Sequence, residues 1–229
     1  MDSLFQEYRD LIRALPLAKH SFSSNKNNWK IENKHILKFH DEIFSFNEEV
    51  TISREDLFNS FDNDPIEMFI LKIIYWAYPR GMRGNNLKKL TQNENFDRLV
   101  NILLNIKKKP EISTEFIEHA LNSIDGIGLS TLSKFLYFSC ATFNKKSCLI
   151  LDQRLIKVFN NMYFVEYNFL RNCKYPYSVD EYIDYIDITD DIAGRMKFGA
   201  DYLEMFLFVF GNNLKLYPIG EDGFYDDLD

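Results

Sequence analysis

Hydrophobic residues recur every three to four positions along most of the chain, which is the spacing of amphipathic helices. This pattern predicts helices over 3–15, 95–106, 129–140 and 200–210, the last apolar on all sides and therefore buried. A weak capping box at Ser53 and Asp56 predicts a short helix. Capping residues predict four further helices, which start at Asp64-Pro65, Ser113, Asp152 and Ser178 and run to about residues 78, 123, 161 and 187. Alternating stretches at 36–39 and 43–46 predict two short strands. We therefore expect a mainly α-helical protein with seven or more helices.

The helices fall into three segments. Residues 1–63 hold an N-terminal helix and a mixed stretch that we expect to pack on the C-terminal helices. Residues 64–161 form a helical domain, and residues 162–229 hold acidic helices and a tail that we expect to be frayed around Gly220 and Gly223.

Composition narrows the class of protein. Apolar residues make up 46% of the chain, which is enough for a packed core. No apolar run approaches the roughly 20 residues that span a bilayer, and the N-terminus lacks the layout of a signal peptide. Three cysteines without paired spacing argue against a disulfide framework. We expect a soluble, reduced, cytoplasmic protein that does not enter a membrane.

The net charge of −7 hides an asymmetry. Residues 178–229 carry a net charge of −10, whereas residues 72–157 carry +7. A phosphate backbone responds to the local field because salt screens charges beyond roughly 10 Å. The middle of the chain can therefore present a basic face to nucleic acid, although lysine runs such as 107–109 are equally well explained as ordinary solvated loops.

Two glycines in a helix–helix junction are the first chemical signal. Gly126 and Gly128 alternate with apolar residues between two predicted helices, and they permit a tight turn and close backbone approach. The unpaired N–H groups in the first turn of the second helix form a site for an anion such as phosphate. The third glycine of a dinucleotide fingerprint and the Gly-Lys-Ser/Thr ending of a P-loop are both missing. The alternative to a phosphate site is a plain tight turn between the two helices.

This segment resembles the helix-hairpin-helix superfamily of DNA glycosylases. The chain contains Ile124-Asp125-Gly126-Ile127-Gly128 and then Ile150-Leu151-Asp152, which match the family's hairpin and its apolar pair before an essential Asp. The resemblance is good over 113–160 and looser over 64–112 and 200–210. It is closest to the 8-oxoguanine glycosylase branch, because no four-cysteine iron–sulfur signature is present.

The resemblance implies a fold and a function. We expect a two-lobed helical fold with the helix-hairpin-helix at about 113–140, and double-stranded DNA as the partner. The DNA-phosphate site would comprise Gly126, Gly128, Ser130 and Thr131. The activity would be base excision in DNA repair, in which a damaged or modified base is flipped out of the duplex and its N-glycosidic bond is hydrolysed.

Asp152 is the predicted catalytic residue. Breaking an N-glycosidic bond develops positive charge on the sugar, and a nearby carboxylate can stabilise that charge or activate water. A helix N-terminus supplies partial positive charge that keeps such a carboxylate ionised. The alternative is that Asp152 only caps its helix.

Two departures from the family pattern bear on mechanism. Bifunctional members carry a Lys two residues after the second hairpin Gly, where this chain has Ser130, so AP-lyase activity loses its usual nucleophile. The spacing from Gly128 to Asp152 is also slightly longer than usual. Lys134 lies one turn after Ser130 on the same helix face, and in the family that position looks toward the flipped base. Lys134 is therefore the second catalytic candidate, and it would either contact a base edge or act as an amine nucleophile. The alternative is that Lys134 faces solvent on the surface of the helix.

A flipped base needs an apolar or aromatic slot. The candidates for this slot are Trp76, Tyr137, Phe206, Phe208 and Phe210, each of which also fits a core position. Glu204 interrupts the apolar helix 200–210, so it would bond a base edge or pair with an arginine such as Arg195. The basic loop 78–86 would probe the gap left by the base, or serve as an ordinary connection.

No cofactor is expected. Histidines and cysteines show no ligand spacing, so the only ion we expect is a weakly bound monovalent cation on the hairpin carbonyls. Two other functions stay open. In the first, the chain is a catalytically inactive subunit of a larger DNA-processing or defence assembly and binds DNA, or a protein partner through its acidic C-terminal region. In the second, it is a purely structural helical domain.

Overall fold

A computed structural model describes residues 4–214 except 162, 172 and 175. The mainly helical fold is confirmed. The α-helices are α1 (Leu4–Glu7), α2 (Arg9–Arg13), α3 (Lys34–Phe44), α4 (Arg54–Asn63), α5 (Ile66–Ala77), α6 (Asn86–Leu90), α7 (Asn93–Lys108), α8 (Thr114–Ser123), α9 (Leu129–Phe138), α10 (Gln153–Asn160), α11 (Val179–Met196) and α12 (Ala200–Phe210). Short 3₁₀ helices lie at Leu17–Lys19, Lys26–Asn28 and Val165–Leu170.

Two small sheets complete the fold. Strand β1 (Ser21–Asn25) pairs antiparallel with β2 (Glu49–Ser53), with Ser21 opposite Ser53. Strand β3 (Glu111–Ile112) pairs parallel with β4 (Thr142–Phe143), which pairs antiparallel with β5 (Lys146–Ser147). These strands bring the chain after α9 back toward the start of α8.

The strands predicted at 36–39 and 43–46 are wrong. Both stretches overlap α3, whose N-terminus is capped by the side chain of Asn33. The buried side chains Ile36, Phe39, His40 and Phe44 follow a helical spacing that the short alternating windows obscured.

Capping signals located several helices correctly. Ser53 with Asp56 and Ser178 with Glu181 form capping boxes, and Ser113 caps α8. Asp64 does not cap α5, because its carboxylate instead accepts from Ser60 and Lys72. The predicted helix 3–15 is divided at Tyr8 into α1 and α2, and the acidic helix predicted to about residue 187 continues to Met196.

The core is built around α5, which is buried along most of its length. It packs against α3, α4, α7, α9 and both long strands. Helix α12 packs against α2, α10 and α11, and Arg9 Nε donates to the carbonyl of Met196 at 2.9 Å. Contacts therefore join the N-terminal helices to the C-terminal ones, while the division at 63 and 161 stays a prediction. The predicted frayed tail lies outside the described residues.

Within the described part of the chain, none of the helices has the length and apolar character needed to cross a membrane.

Candidate functional site

A cleft of about 910 Å³ opens between the start of α9, the start of α10 and the loop that joins α5 to α6. Its walls include five of the residues predicted from sequence, namely Gly128, Ser130, Thr131, Lys134 and Asp152. The glycine hairpin and the acid that begins the following helix therefore border one open space. Gly126, Trp76, Phe208 and Glu204 do not line it.

The predicted helix-hairpin-helix is α8, the turn 124–128 and α9. Gly126 has φ +91°, and a Cβ built on it would lie 2.6 Å from the carbonyl oxygen of Asn86 and 3.0 Å from the amide nitrogen of Leu90. Only glycine fits there, since the turn is both left-handed and pressed onto α6. Gly126 therefore shapes the hairpin, while Gly128, the N-cap of α9, faces the cleft.

A buried asparagine, missed by the sequence analysis, holds the hairpin from behind. Asn95 of α7 donates from Nδ2 to the carbonyl of Lys89 at 2.9 Å and accepts from the amide of Asp125 at 3.3 Å. The signal was present, because Asn95 is a polar residue beside the apolar face of α7. The hairpin is thus fixed to both α6 and α7.

Asp152 is both a helix cap and a cleft residue. Its Oδ1 accepts from the amides of Arg154 at 2.9 Å and Leu155 at 3.2 Å, while its Oδ2 lies 3.8 Å from Lys134 Nζ. The side chain is 18% exposed. Capping and chemistry are therefore compatible, because one carboxylate oxygen fixes the group and the other faces the cationic side of the cleft.

Ser133 connects the two helices that carry the site. Its buried hydroxyl accepts from the amide of Leu151 at 3.1 Å and lies 3.3 Å from the carbonyl of the same residue. This bond joins α9 to the residue immediately before Asp152. Ser133 was not singled out from the sequence, since nothing local distinguishes a bridging serine from any other.

Lys134 is buried rather than solvent-facing, so that alternative is wrong. Its side chain is 5% exposed, and Nζ donates to the carbonyl oxygen of Ser130 at 2.8 Å and approaches its hydroxyl at 3.3 Å. Nζ also lies 5.8 Å from the ring centre of Tyr78. The Tyr78 hydroxyl lies 2.7 Å from Thr131 Oγ1, which ties the 78–85 loop to α9.

The cleft is basic although the chain is acidic. The charged side chains on its walls are the cations Arg83, Lys134, Arg154 and Lys157 and the anion Asp152. Arg83 comes from the basic loop noted in the sequence, and Arg154 and Lys157 come from α10. This excess of positive charge favours a polyanion at the mouth of the cleft.

Glu204 is fully buried in an ion pair. Arg54 reaches it through two contacts of 2.8 and 3.2 Å and also donates to the Tyr137 hydroxyl at 3.1 Å. Burial alone would lower the pKa of Arg54, but Glu204 and Tyr137 raise it, so the guanidinium stays charged. The arginine partner is therefore Arg54 rather than Arg195, which pairs with Asp191 at 3.1 Å.

None of the five aromatic candidates lines the cleft. Trp76 is a core residue and is 3% exposed. Phe208 is half-buried, and the Arg154 guanidinium lies over its ring, 4.4 Å from the ring centre. Phe208 also lies 5.6 Å from the ring of His20. Burial, with help from Arg54 and Arg154, lowers the pKa of His20 to about 4. Roles for these residues and Glu204 in holding a base stay predictions.

Two findings concern ions. No group of three or more His, Cys, Asp or Glu side chains among the described residues is placed to hold a metal ion. The monovalent cation expected on the hairpin carbonyls stays a prediction.

A family model described as "Putative 8-oxoguanine DNA glycosylase OGG-like protein" matches residues 16–208, well over half of the chain. No curated protein matches the chain significantly. No solved structure does so either. The matched region contains the hairpin, both helices that border the cleft and most of α12.

Proposed function

Because the chain belongs to the OGG-like 8-oxoguanine DNA glycosylase family, we propose that it flips a damaged or modified base out of duplex DNA and hydrolyses the N-glycosidic bond. The observation that carries this proposal is the shared cleft, in which the hairpin helix start and the Asp152 carboxylate face one space. Its volume of about 910 Å³ lies within the roughly 300–1,000 Å³ of typical ligand pockets.

The start of α9 is the proposed phosphate contact. Gly128 has no side chain to cover the backbone. The amides of Thr131 and Leu132 donate to the Gly128 carbonyl, so the amides of Leu129 and Ser130 are the ones without a partner within the helix. Ser130 and Thr131 add hydroxyl groups at the same rim of the cleft. Arg83 and Lys157 supply the charge that attracts the DNA backbone without regard to sequence.

Asp152 is the proposed catalytic residue. As the bond between sugar C1′ and the base nitrogen breaks, the electron pair leaves with the base and the sugar becomes cationic. The Asp152 carboxylate stabilises that cation, water then adds to C1′, and the proton that this water loses ends on the nitrogen of the released base. The two amide bonds to Oδ1 hold the carboxylate in place before the DNA arrives.

Base release from duplexes that each carry one lesion or modification tests the proposal. We expect release from at least one duplex, and a decrease of about 100-fold or more for Asp152→Asn. Asparagine caps helices as well as aspartate does, so this variant keeps the fold. The matched control is Asp97→Asn, on an exposed position of α7. Equal rates for Asp152→Asn and wild type would remove Asp152 from the mechanism.

The second candidate is a DNA-binding or partner-binding subunit without catalysis. It is favoured by Ser130 at the position of the family's lysine and by the acidic stretch 178–229. Salt-dependent duplex binding together with no base release from any duplex, and co-purification of a protein partner, would support it.

A further inference from the structure

A second groove, which the proposed function leaves unused, lies across α6 from the cleft. It has a volume of about 660 Å³ and is bounded by the start of α3, the start of α7 and one face of α6. Asn86 of α6 lines the cleft, whereas Lys88 lines the groove. Two residues apart on a helix point to nearly opposite sides, so α6 separates the two spaces. We call the second space the α3–α7 groove.

The α3–α7 groove is positively charged. Its walls carry Lys30, Lys34 and Lys88, all of them exposed, against one carboxylate, Glu32. Glu32 Oε2 lies 3.3 Å from Lys88 Nζ, but the two side chains are 73% and 64% exposed. Exposed pairs of this kind contribute little to stability, so a phosphate can replace Glu32 as the partner of Lys88.

Hydrogen bonds fix the two helix starts that form the groove. The Asn33 side chain caps α3, where its oxygen accepts from the amide of His35 at 3.0 Å. Its Nδ2 donates to the carbonyl of Thr91 at 3.0 Å and to Oδ1 of Asn93, the first residue of α7, at 2.7 Å. One side chain therefore joins the start of α3 to the start of α7, and the groove is formed before a ligand arrives.

The groove adjoins the loop that borders the cleft. Asn28, two residues before Lys30, donates from Nδ2 to the carbonyl of Pro79 at 2.8 Å, and the same loop carries Arg83 to the wall of the cleft. The width of α6 separates the two spaces, about 10 Å for a helix with its side chains. This width equals about three base-pair steps at roughly 3.4 Å each. One DNA strand can therefore pass the start of α9, cross α6 and reach the lysines of the groove.

We propose that the α3–α7 groove binds phosphates of the same DNA molecule, about three base pairs from the nucleotide in the cleft. This inference rests on the proposed function, because that function places the DNA on the other side of α6. It extends the DNA contact to a surface outside the helix-hairpin-helix. Contacts from lysine to phosphate carry no sequence information, so the groove adds affinity and fixes the position of the protein on the duplex without adding a base preference.

The salt dependence of duplex binding counts the phosphates that the protein contacts. Each contact adds about 0.9 to the slope of log affinity against log salt concentration. The triple variant Lys30→Gln, Lys34→Gln, Lys88→Gln, called the groove variant, should lower this slope by about two to three. Its affinity at about 50 mM salt should fall by about tenfold or more. Two duplexes of unrelated sequence should show the same loss, because the lysines contact the backbone.

A second triple variant removes the same charge far from the groove. Lys108 and Lys109 are exposed at the end of α7, about 24 Å from its start at 1.5 Å per residue. Lys145 is exposed in the turn between β4 and β5, beyond the end of α9. Replacement of these three lysines by Gln should change the slope by less than about one. An unchanged slope in the groove variant, or an equal decrease in both variants, would overturn the inference.

Shortening the DNA locates the contact relative to the cleft. A duplex with one tetrahydrofuran abasic analogue is shortened on one side of the analogue at a time, and its affinity for each protein is measured. Loss of one flank should weaken binding of the wild type and have little further effect on the groove variant, since both changes remove the same contact. Equal weakening of both proteins, whichever flank is removed, would contradict the placement of the groove beside the DNA.

These outcomes separate the groove from the proposed function. Base release by the wild type, together with an unchanged salt slope in the groove variant, would overturn the groove and leave the glycosylase. A lower slope in the groove variant without base release from any duplex would support the groove and contradict the glycosylase. The absence of both would contradict both.

Discussion

Gly126→Ala perturbs the hairpin at the point where it presses on α6. The new Cβ would lie 2.6 Å from the Asn86 carbonyl oxygen, 3.0 Å from the Leu90 amide nitrogen and 3.1 Å from Lys89 Cβ. Two of these neighbours are backbone atoms of a helix, so no side-chain rotation relieves the contact. The backbone at φ +91° is also strained for any residue with a Cβ.

The expected loss of stability has two parts. A left-handed backbone costs a non-glycine residue about 1–2 kcal/mol, and overpacking adds about 1–3 kcal/mol. Gly126→Ala should therefore lower the free energy of unfolding by about 2–5 kcal/mol. Gly84 provides a matched control, because it has φ +60° but nothing within 4 Å of its built Cβ. Gly84→Ala should lose only the conformational part, about 1–2 kcal/mol.

Urea unfolding of the two variants and the wild type measures the difference. The amount by which Gly126→Ala loses more free energy of unfolding than Gly84→Ala measures the contact between the hairpin and α6. Duplex affinity should also fall for Gly126→Ala, since a displaced hairpin moves the start of α9. Equal losses of stability in the two variants would refute the close contact between hairpin and α6.

Three further predictions concern the surroundings of the cleft. Ser133→Ala should lower the free energy of unfolding, measured in urea, by about 1–3 kcal/mol, because the buried amide of Leu151 loses its partner. Base release should also slow in this variant, with little change in duplex affinity. Arg54→Met should cost about 3–5 kcal/mol by leaving Glu204 buried without its partner, and the double variant with Glu204→Leu should recover most of that loss in the same assay. The pKa of His20 is lowered from 6.5 to about 4 in the folded protein, so His20 binds a proton more readily in the unfolded chain than in the folded one. The contribution of His20 to stability should therefore be complete above pH 6.5 and be lost as the pH drops toward 4. Unfolding at pH 7 and pH 5 should show a smaller decrease for His20→Gln than for wild type, and an equal decrease would contradict the assignment.

The sequence predicted much of the helical fold because helix ends carry local chemistry. Ser113 and Ser178 accept hydrogen bonds from amides of the turn that follows them, so their position alone indicates where a helix starts. The strands were missed for the opposite reason. Strand β1 is rich in serine and is stabilised by pairing with β2, about 28 residues away in register, which no local window records.

The site was predictable where two motifs carry it and unpredictable where it depends on long-range contact. The hairpin glycines and Asp152 were recognisable from type and spacing, and the fold brings Gly128 and Asp152 to one cleft. Arg54 is 150 residues from Glu204 in the chain, so their pairing could not be inferred. The direction of the Lys134 side chain could not be inferred from the sequence either. A lysine at this helical position has the same spacing whether its side chain faces solvent or lines a cleft.

The central claim is that Asp152 stabilises positive charge on the sugar within this cleft. The most direct test compares binding of two duplexes that differ at one site, a cationic pyrrolidine and a neutral tetrahydrofuran abasic analogue. The account predicts that the wild-type chain binds the cationic duplex about tenfold or more tightly, and that Asp152→Asn loses this preference. Equal affinity of the wild type for both duplexes, or a preference that persists in Asp152→Asn, would contradict it.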